Sequence, residues 1–563
     1  MYQSQSQKKY KKIWEKYLPL IIFIGFVLIL LITSQLTQKP PVVKALNKDV
    51  FYPGDELVIY GSHFGKERKQ SRISVARFSP LTTSYISWKD DEIRVLVSEE
   101  LKSGLLSVET ENGLSRELML FINGTQIPKV VKGPALGGEP FIESFEPTKG
   151  AVGSEISIKG RNFGIDRLNS RVNFSWISAD EEVFDQAKAA PHTPASLFDF
   201  DYLLWDDKEI RLRVPDGATS GPVFIETAQG KSSSVFFEVQ EPVGKKQFHK
   251  KRTYQVHFSI DIDNIDSAPD NALYVWIPQI YSAPEQREIQ LVLQEPKPDL
   301  SDQNGLMQYY FEELRPREKY SIRLRYFFYR YEIRSQINSA RVPLKYDRSG
   351  QLYRTFTQSD RYIPSDHNSV IKKAREIVGR EQNPYLKARL IYDYLISWLV
   401  FDNDSRSIPD IEAFFAQEKP VCNSLDYTVL YTALCRAVDV PTRPCAGFLI
   451  TTESGQRKGI SHYWIEFYVE NFGWVPVDIL LGSGVRFGSF PTQLDVREYY
   501  FGNLDSNHLT LSKGIFHVNK KSPDGKVVAF LNYPSLQTIY EESTGNLQSY
   551  RSSWADIEIL GVY

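Results

Sequence analysis

The spacing of apolar and polar residues changes character twice along this 563-residue chain. Residues 18–32 form an apolar run broken only by Pro19 and Gly25, and Thr33, Ser34 and Leu36 extend it. About 19 residues at a rise of about 1.5 Å just span a hydrocarbon core. From there to about residue 345, short runs alternate apolar and polar residues between Gly, Pro and Asn-Gly turns, which predicts antiparallel β-sandwich strands. Beyond residue 355 the spacing turns helical. Helices are predicted over 369–378, over 385–399 (Leu386, Leu390, Tyr394, Trp398) and over 424–438 (Leu425, Val429, Ala433, Ala437). Pro384 suits a first helical turn. Asn423 is a natural N-cap, with Asp426 in the capping-box position. A hairpin follows: 459–469, a turn at Asn471-Phe472-Gly473, and 474–478.

The β-rich half repeats itself. GDELVIYGSHFG (54–65) matches GSEISIKGRNFG (153–164), YISWKDDEIRVLV (85–97) matches YLLWDDKEIRLRV (202–214), and SGLLSVETENG (103–113) matches SGPVFIETAQG (220–230). The offset grows from 99 to 117 residues, so the second copy carries an insertion of 18, placed around 179–199. A proline followed by G-x-x-V-x-I-x-G-x-x-F-G, seen at 53–65 and 147–164, resembles the opening of IPT/TIG immunoglobulin-like domains. The resemblance implies fold and a spacer or binding role rather than chemistry. The acidic pairs Asp90-Asp91 and Asp206-Asp207 are read as polar turns before strands. The arginines at 323, 325 and 330 fit a half-exposed sheet, and KKQFHKKR (245–252) fits a solvated basic hinge.

Charge and cysteine content narrow the chemistry. With 67 basic and 69 acidic residues the net charge is −2, giving no bulk electrostatic case for nucleic acid. Yet Lys8, Lys9, Lys11, Lys12 and Lys16 precede the apolar run against Glu15 alone. That bias predicts a cytoplasmic N-terminus and an extracytoplasmic remainder; a cleaved signal peptide is the alternative. Three cysteines exclude a disulfide scaffold and a Cys-x-x-Cys zinc site. Cys435 and Cys445 read as apolar core residues, though their pairing stays open. His63, His192, His249, His257, His367, His508 and His517 show no metal spacing, and no phosphate loop or dinucleotide fingerprint appears. No metal and no cofactor are expected.

The chemistry concentrates in residues 355–505. His462, Trp464, Glu466 and Tyr468 share one face of a strand, and pairing back across the turn brings Asp478 roughly opposite His462. A helix start, a strand histidine and a next-strand aspartate can thus converge as nucleophile, base and orienter. HYWIE (462–466), GWVPVD (473–478) and ALCRAVDVPTRPCAGF (433–448) resemble the three-part motif of the transglutaminase-like superfamily, whose core is papain-like. NPYLKARLIYDYLISWLVFD (383–402) resembles that family's lead-in and YYFGNLDSNH (499–508) its lead-out, so the likeness covers about residues 250–563. In that register the family's cysteine nucleophile falls on Ser424, 12 residues before Arg436, while Cys422 lies two residues upstream.

The whole is read as a multidomain chain. A cytoplasmic stub and transmembrane anchor (1–37) precede IPT/TIG-like β-sandwiches at 38–125 and 138–240 and a third β-sandwich at 248–345. The α+β papain-like transglutaminase core (355–505) and a C-terminal β extension (506–563) follow. Its function is read as a membrane-anchored extracytoplasmic binding or scaffold protein, a pseudoenzyme with serine at the nucleophile position and a peptide or protein ligand that includes cell-wall peptide. The alternative is an active amide acyl-transfer enzyme, a peptidase, amidase or transamidase, using Ser424 or Cys422 with His462 and Asp478.

Overall fold

The structure is a computed structural model of the full chain. It describes residues 39–563 apart from the segments 48–49, 52–53, 76–79, 81–83, 99–100, 102–103, 116–117, 123–137, 181–190, 302–304, 404–410, 451–457, 488–494 and 530–532. The apolar run expected to anchor the chain lies outside the described residues. Among the described residues no helix is long and apolar enough to cross a membrane. Two compact units emerge, residues 1–129 with 519–524 and residues 130–518 with 525–563.

In the first unit, the strands Val42–Leu46, Glu56–Ser62, Glu92–Leu96 and Tyr85–Trp88 form one sheet. A second sheet is built on Leu118–Ile122, Gly104–Thr110 and Arg72–Val75. Alternation sends Leu57, Ile59, Ile93 and Val95 from one sheet against Ile73, Val75, Leu106 and Val108 from the other. The second unit opens on the same arrangement. Phe141–Glu146, Glu155–Arg161, Glu209–Arg213 and Tyr202–Trp205 form one sheet, facing a second built on Val235–Val239, Gly221–Thr227 and Arg171–Ser175. Here the insertion adds its own strand, His192–Pro194, paired with Arg171–Ser175.

The next stretch differs from the expected third β-sandwich. Strand β1 (Gly244–Pro278) runs 35 residues and pairs along its first half with β2 (Tyr320–Ile337). Along its second half it pairs with Leu306–Glu312. Its other edge takes the C-terminal strands Glu541–Trp554 and Glu558–Val562. The strands of residues 244–337 and those from Lys526 onward are therefore one eight-stranded sheet. Pairings between segments nearly 300 residues apart leave no trace in local pattern. The basic stretch 245–252 is strand rather than hinge: Phe248 is buried, and only a slip in register between His249 and Arg252 marks the run.

The α+β core follows. Helix α1 (Asn368–Val378) is capped by His367 and ends at Gly379, whose φ is +55°. Helix α2 (Pro384–Trp398) starts where Asn383 Oδ1 accepts from Tyr385 and Leu386 N–H. Helix α3 (Ser424–Ala437) lies over an antiparallel sheet of β3 (Thr442–Leu449), β4 (Ile460–Val469), β5 (Gly473–Val477) and, beyond helix α4 (Ile479–Gly482), β6 (His508–Lys513). The sheet order is β5-β4-β3-β6. Ile391, Leu395, Leu430 and Leu434 from the helices meet Ile465, Phe467 and Val477 in one core. On the opposite side, Phe448, Leu509 and Leu511 join the core of the eight-stranded sheet.

The second IPT/TIG-like sandwich is bolted to this core by buried polar contacts. Arg443 in β3 pairs with Asp199 of the insertion and with Glu466 at 2.8 Å. Asp199 also accepts from the Trp474 indole at 3.1 Å, and Lys246 Nζ donates to Trp474 O at 2.7 Å. Gly473, at φ +94°, closes the β4–β5 turn where a Cβ would lie 2.2 Å from Asp216 Oδ1. Asp199→Ala would leave Arg443 with Glu466 as its remaining carboxylate and strand the Trp474 indole N–H, so it should destabilise the second unit by about 2 kcal/mol. Thermal unfolding followed by circular dichroism should show a midpoint lowered by several degrees. An unchanged midpoint would mean that the two domains are not coupled through this contact.

Candidate active site

Four elements of the core converge on one polar cluster. The start of α3 is fixed by a capping box: Asn423 Oδ1 accepts from Asp426 N at 3.0 Å, and Asp426 Oδ2 accepts from Asn423 N at 3.2 Å. That places Ser424 in the first helical position, where its Oγ accepts from Tyr463 N in β4 at 3.2 Å. Cys422 sits before the cap, in the two-residue strand Val421–Cys422, with its side chain fully buried in the apolar core. Burial, and then the charge of Asp426, push its thiol up to about 12, so it stays protonated at neutral pH. Cys435 and Cys445 are buried free thiols. It is thus Ser424, not Cys422, that meets the strand carrying His462.

His462 stands in β4 with no solvent exposure. Its Nε2 lies 2.6 Å from Asp478 Oδ2. Asp478 follows β5 and caps α4, its Oδ1 accepting from Leu481 N at 2.9 Å. The cap occupies one carboxylate oxygen and leaves the other to the imidazole. Because Asp478 accepts, His462 Nε2 donates, and in the neutral ring Nδ1 is then the bare nitrogen. That Nδ1 is buried and has no hydrogen-bond partner among the described residues.

A second imidazole shares the same carboxylate. His508, at the start of β6, places Nε2 3.0 Å from Asp478 Oδ2 and Nδ1 3.0 Å from Asp505 Oδ1. Asp505 also accepts from the Tyr500 hydroxyl at 2.8 Å and from Asn507 N at 2.8 Å. Burial alone would lower His508, but the carboxylates of Asp505 and Asp478 outweigh it and raise the imidazole to about 9. Asp505, despite burial, is held down at about 2 by His508 and Tyr500. Asp478 lies well below the ordinary carboxylate range, because the two histidines overcome its burial. Neither Asp505 nor His508 stood out in the sequence beyond a family-like lead-out. The i,i+3 spacing of Asp505 and His508 is the signal that could have marked them.

His462 Nε2, Asp478 Oδ2 and His508 Nε2 all lie within 4.8 Å of one another, a spacing that a divalent ion could bridge. A metal needs unprotonated imidazole nitrogens, whereas here both Nε2 atoms sit at hydrogen-bonding distance from a carboxylate. The donor set is better matched to protons than to a cation. Glu466, on the same strand as His462, belongs to a different network: it takes Lys513 Nζ at 2.7 Å and Arg443 Nε at 2.9 Å. Burial is overcome by those two cations, and its carboxyl is held well below its usual range.

Residues 371–479 match the model of the transglutaminase-like superfamily, and residues 140–195 match the IPT/TIG domain. The chain carries a transglutaminase-like core. An uncharacterized protein of Haemophilus influenzae is 27% identical over 157 residues, 23% of this chain and 42% of that protein's length. Among solved structures, a Cytophaga hutchinsonii protein provisionally assigned as a cysteine protease superposes with a TM-score of 0.36 at 14% identity, over 57% of this chain and 92% of its own. The periplasmic domain of TgpA from Pseudomonas aeruginosa superposes with a TM-score of 0.22 at 9% identity, over 43% and 88%.

The transglutaminase-like core carries titrations of opposite sign, which fix its pH dependence. His508 is raised from 6.5 to about 9, so its contribution is complete below pH 6.5 and is lost as pH climbs through 9. Asp505 is lowered from 3.8 to about 2, so its contribution is present above pH 3.8 and is lost as pH falls through 2. Thermal midpoints measured across pH should fall on both sides of a plateau between about 4 and 6.5. His508→Gln should remove the alkaline limb and weaken the acid one as well, because His508 is the main group that holds Asp505 down. A wild-type midpoint that stays flat from 6.5 to 9 would contradict the arrangement.

Proposed function

We propose that this chain is a membrane-anchored extracytoplasmic enzyme whose transglutaminase-like core performs acyl transfer on an amide. Ser424 is the nucleophile, His462 the base and Asp478 its orienter. The buried Nδ1 of His462, which has no hydrogen-bond partner among the described residues, carries this reading. Leaving a buried ring nitrogen unpaired costs about 1–3 kcal/mol, so such an atom asks for a partner such as a transferred proton. A base that takes a proton from a nucleophile needs such an atom.

The chemistry balances on these residues alone. Ser424 Oγ bonds to the amide carbonyl carbon as its proton passes to His462 Nδ1, and the carbonyl π pair moves onto oxygen. The capping box consumes the N–H groups of Asn423 and Asp426. It leaves those of Ser424 and Leu425 at the helix start to receive the oxyanion. Collapse of the intermediate breaks the C–N bond, and the departing amine takes the proton from His462. Water or a second amine then resolves the ester, giving hydrolysis or transamidation. The lysine-flanked apolar run supports a location outside the cytoplasmic membrane, and peptide, including cell-wall peptide, is the substrate class proposed there.

A second reading rests on the same serine. A hydroxyl is far harder to activate than a thiol, and with turnover lost the site would hold a peptide as a binding or scaffold module. A fluorophosphonate probe separates the two. Acyl transfer requires covalent labelling of Ser424 that falls at least about tenfold in His462→Ala and vanishes in Ser424→Ala, with circular dichroism unchanged. A binding module would show no labelling, with peptide affinity retained in Ser424→Ala. Iodoacetamide should modify Cys422 no faster than an unactivated thiol. Protease added to the outer face of intact, cell-derived membranes should remove nearly all of the chain's mass, and survival of the sandwich domains would refute the proposed topology.

A further inference from the structure

Asp478 Oδ2 is shared by two imidazoles, and the reaction as written uses only one. His508 is as buried as His462, and both of its ring nitrogens face carboxylate oxygens, Asp478 Oδ2 at 3.0 Å and Asp505 Oδ1 at 3.0 Å. Carboxylates accept and do not donate, so both nitrogens must carry protons, and the ring is an imidazolium. The groups packed around it agree. Tyr500 donates its hydroxyl to Asp505 Oδ2 and lays its ring 6.4 Å from the His508 ring centre. Arg330 of β2 donates from Nε to the His508 backbone carbonyl, and Tyr254 of β1 donates to Ser506 O. Trp464 of β4 lays its ring 5.2 Å from the His508 ring centre, and the His462 ring lies at 5.5 Å. Glu466 is spent on Arg443 and Lys513.

We propose that His508 is a positioning residue of this site: as an imidazolium clamped between Asp478 and Asp505, it holds Asp478 Oδ2 on His462 Nε2 and takes up part of that carboxylate's charge. This deepens the acyl-transfer reading above and rests on it for its catalytic meaning. A lone buried carboxylate behind a histidine favours the imidazolium form of that histidine. Such a bias suits a thiolate–imidazolium pair, in which the base has already been protonated. A serine hydroxyl keeps its proton until the attack and needs the imidazole neutral, with Nδ1 bare. A second cation on the same oxygen weakens the pull of Asp478 on a proton at His462. The clamp therefore suits the base to the nucleophile that stands at position 424. It also restrains the carboxylate through a contact on β6, an element that carries none of the three reacting groups.

The test reads protonation directly in the full chain, in detergent and labelled with [15N]histidine; with only eight histidines the spectrum is tractable. At pH 7 the wild type should show His508 protonated on both nitrogens, with His462 Nδ1 bare. A neutral His508 at pH 7 overturns the proposal without any variant being made. In His508→Gln the midpoint for protonation of His462 should rise by about one pH unit, a tenfold change in its proton affinity. His508→Lys, which keeps a cation, should restore most of the difference. A variant that loses thermal stability while the His462 midpoint stays put would mean that His508 is structural only, and this too overturns the proposal. Labelling of Ser424 by the fluorophosphonate is followed in parallel. If the midpoint moves as stated while no form of the protein ever labels, the acyl-transfer reading has failed and the positioning role stands. If labelling occurs and its pH profile is the same in wild type and His508→Gln, the positioning role has failed and acyl transfer stands.

Discussion

One carboxylate organises the site. Asp478 spends Oδ1 on capping helix α4 and Oδ2 on two buried imidazoles. Each of these duties depends on the other. The cap fixes the rotation of the carboxylate, and that rotation sets the direction in which His462 can donate. Taking this charge out of water is expensive, so it must be surrounded by donors. The two histidines and one backbone N–H meet that requirement, and the chain's fold is committed to bringing β4, β5 and β6 together at this point.

The consequence is a site built on rigid elements. Ser424 is held at the first position of α3 by a capping box, His462 lies within a strand buried on both faces, and Asp478 stands at a strand end. Cys422, two residues from Ser424, has no part in this arrangement. The cap that sets Ser424 against β4 leaves Cys422 on the far side, packed among apolar side chains in an environment that disfavours its thiolate.

A second buried network ties the core to the sandwich before it. Arg443, Glu466 and Lys513 sit below the site, and Asp199 reaches into them from the insertion that distinguishes the second sandwich from the first. The second IPT/TIG-like domain is thereby packed into the same compact unit as the site. Within this unit the insertion serves as the contact between the two folds.

The sequence by itself determined the local features. Turn glycines and alternating strands marked the repeated sandwich pattern, Asn423 with Asp426 marked the start of α3, and the hairpin at 459–478 placed His462 and Asp478 on adjoining strands. Each of these depends on neighbours within a few residues or on a motif of fixed spacing. Tertiary structure alone decided the rest. The pairing of residues 541–562 with a strand that begins at Gly244 joins segments with no local signature of partnership. The approach of His508 to Asp478 spans 30 residues and depends on the sheet order β5-β4-β3-β6. So does the placement of Ser424 against β4 and of Cys422 in the apolar core, on either side of one helix cap. Local propensity acts along the chain, whereas the chemistry of this site depends on which buried charges are forced to share a partner, and only packing settles that.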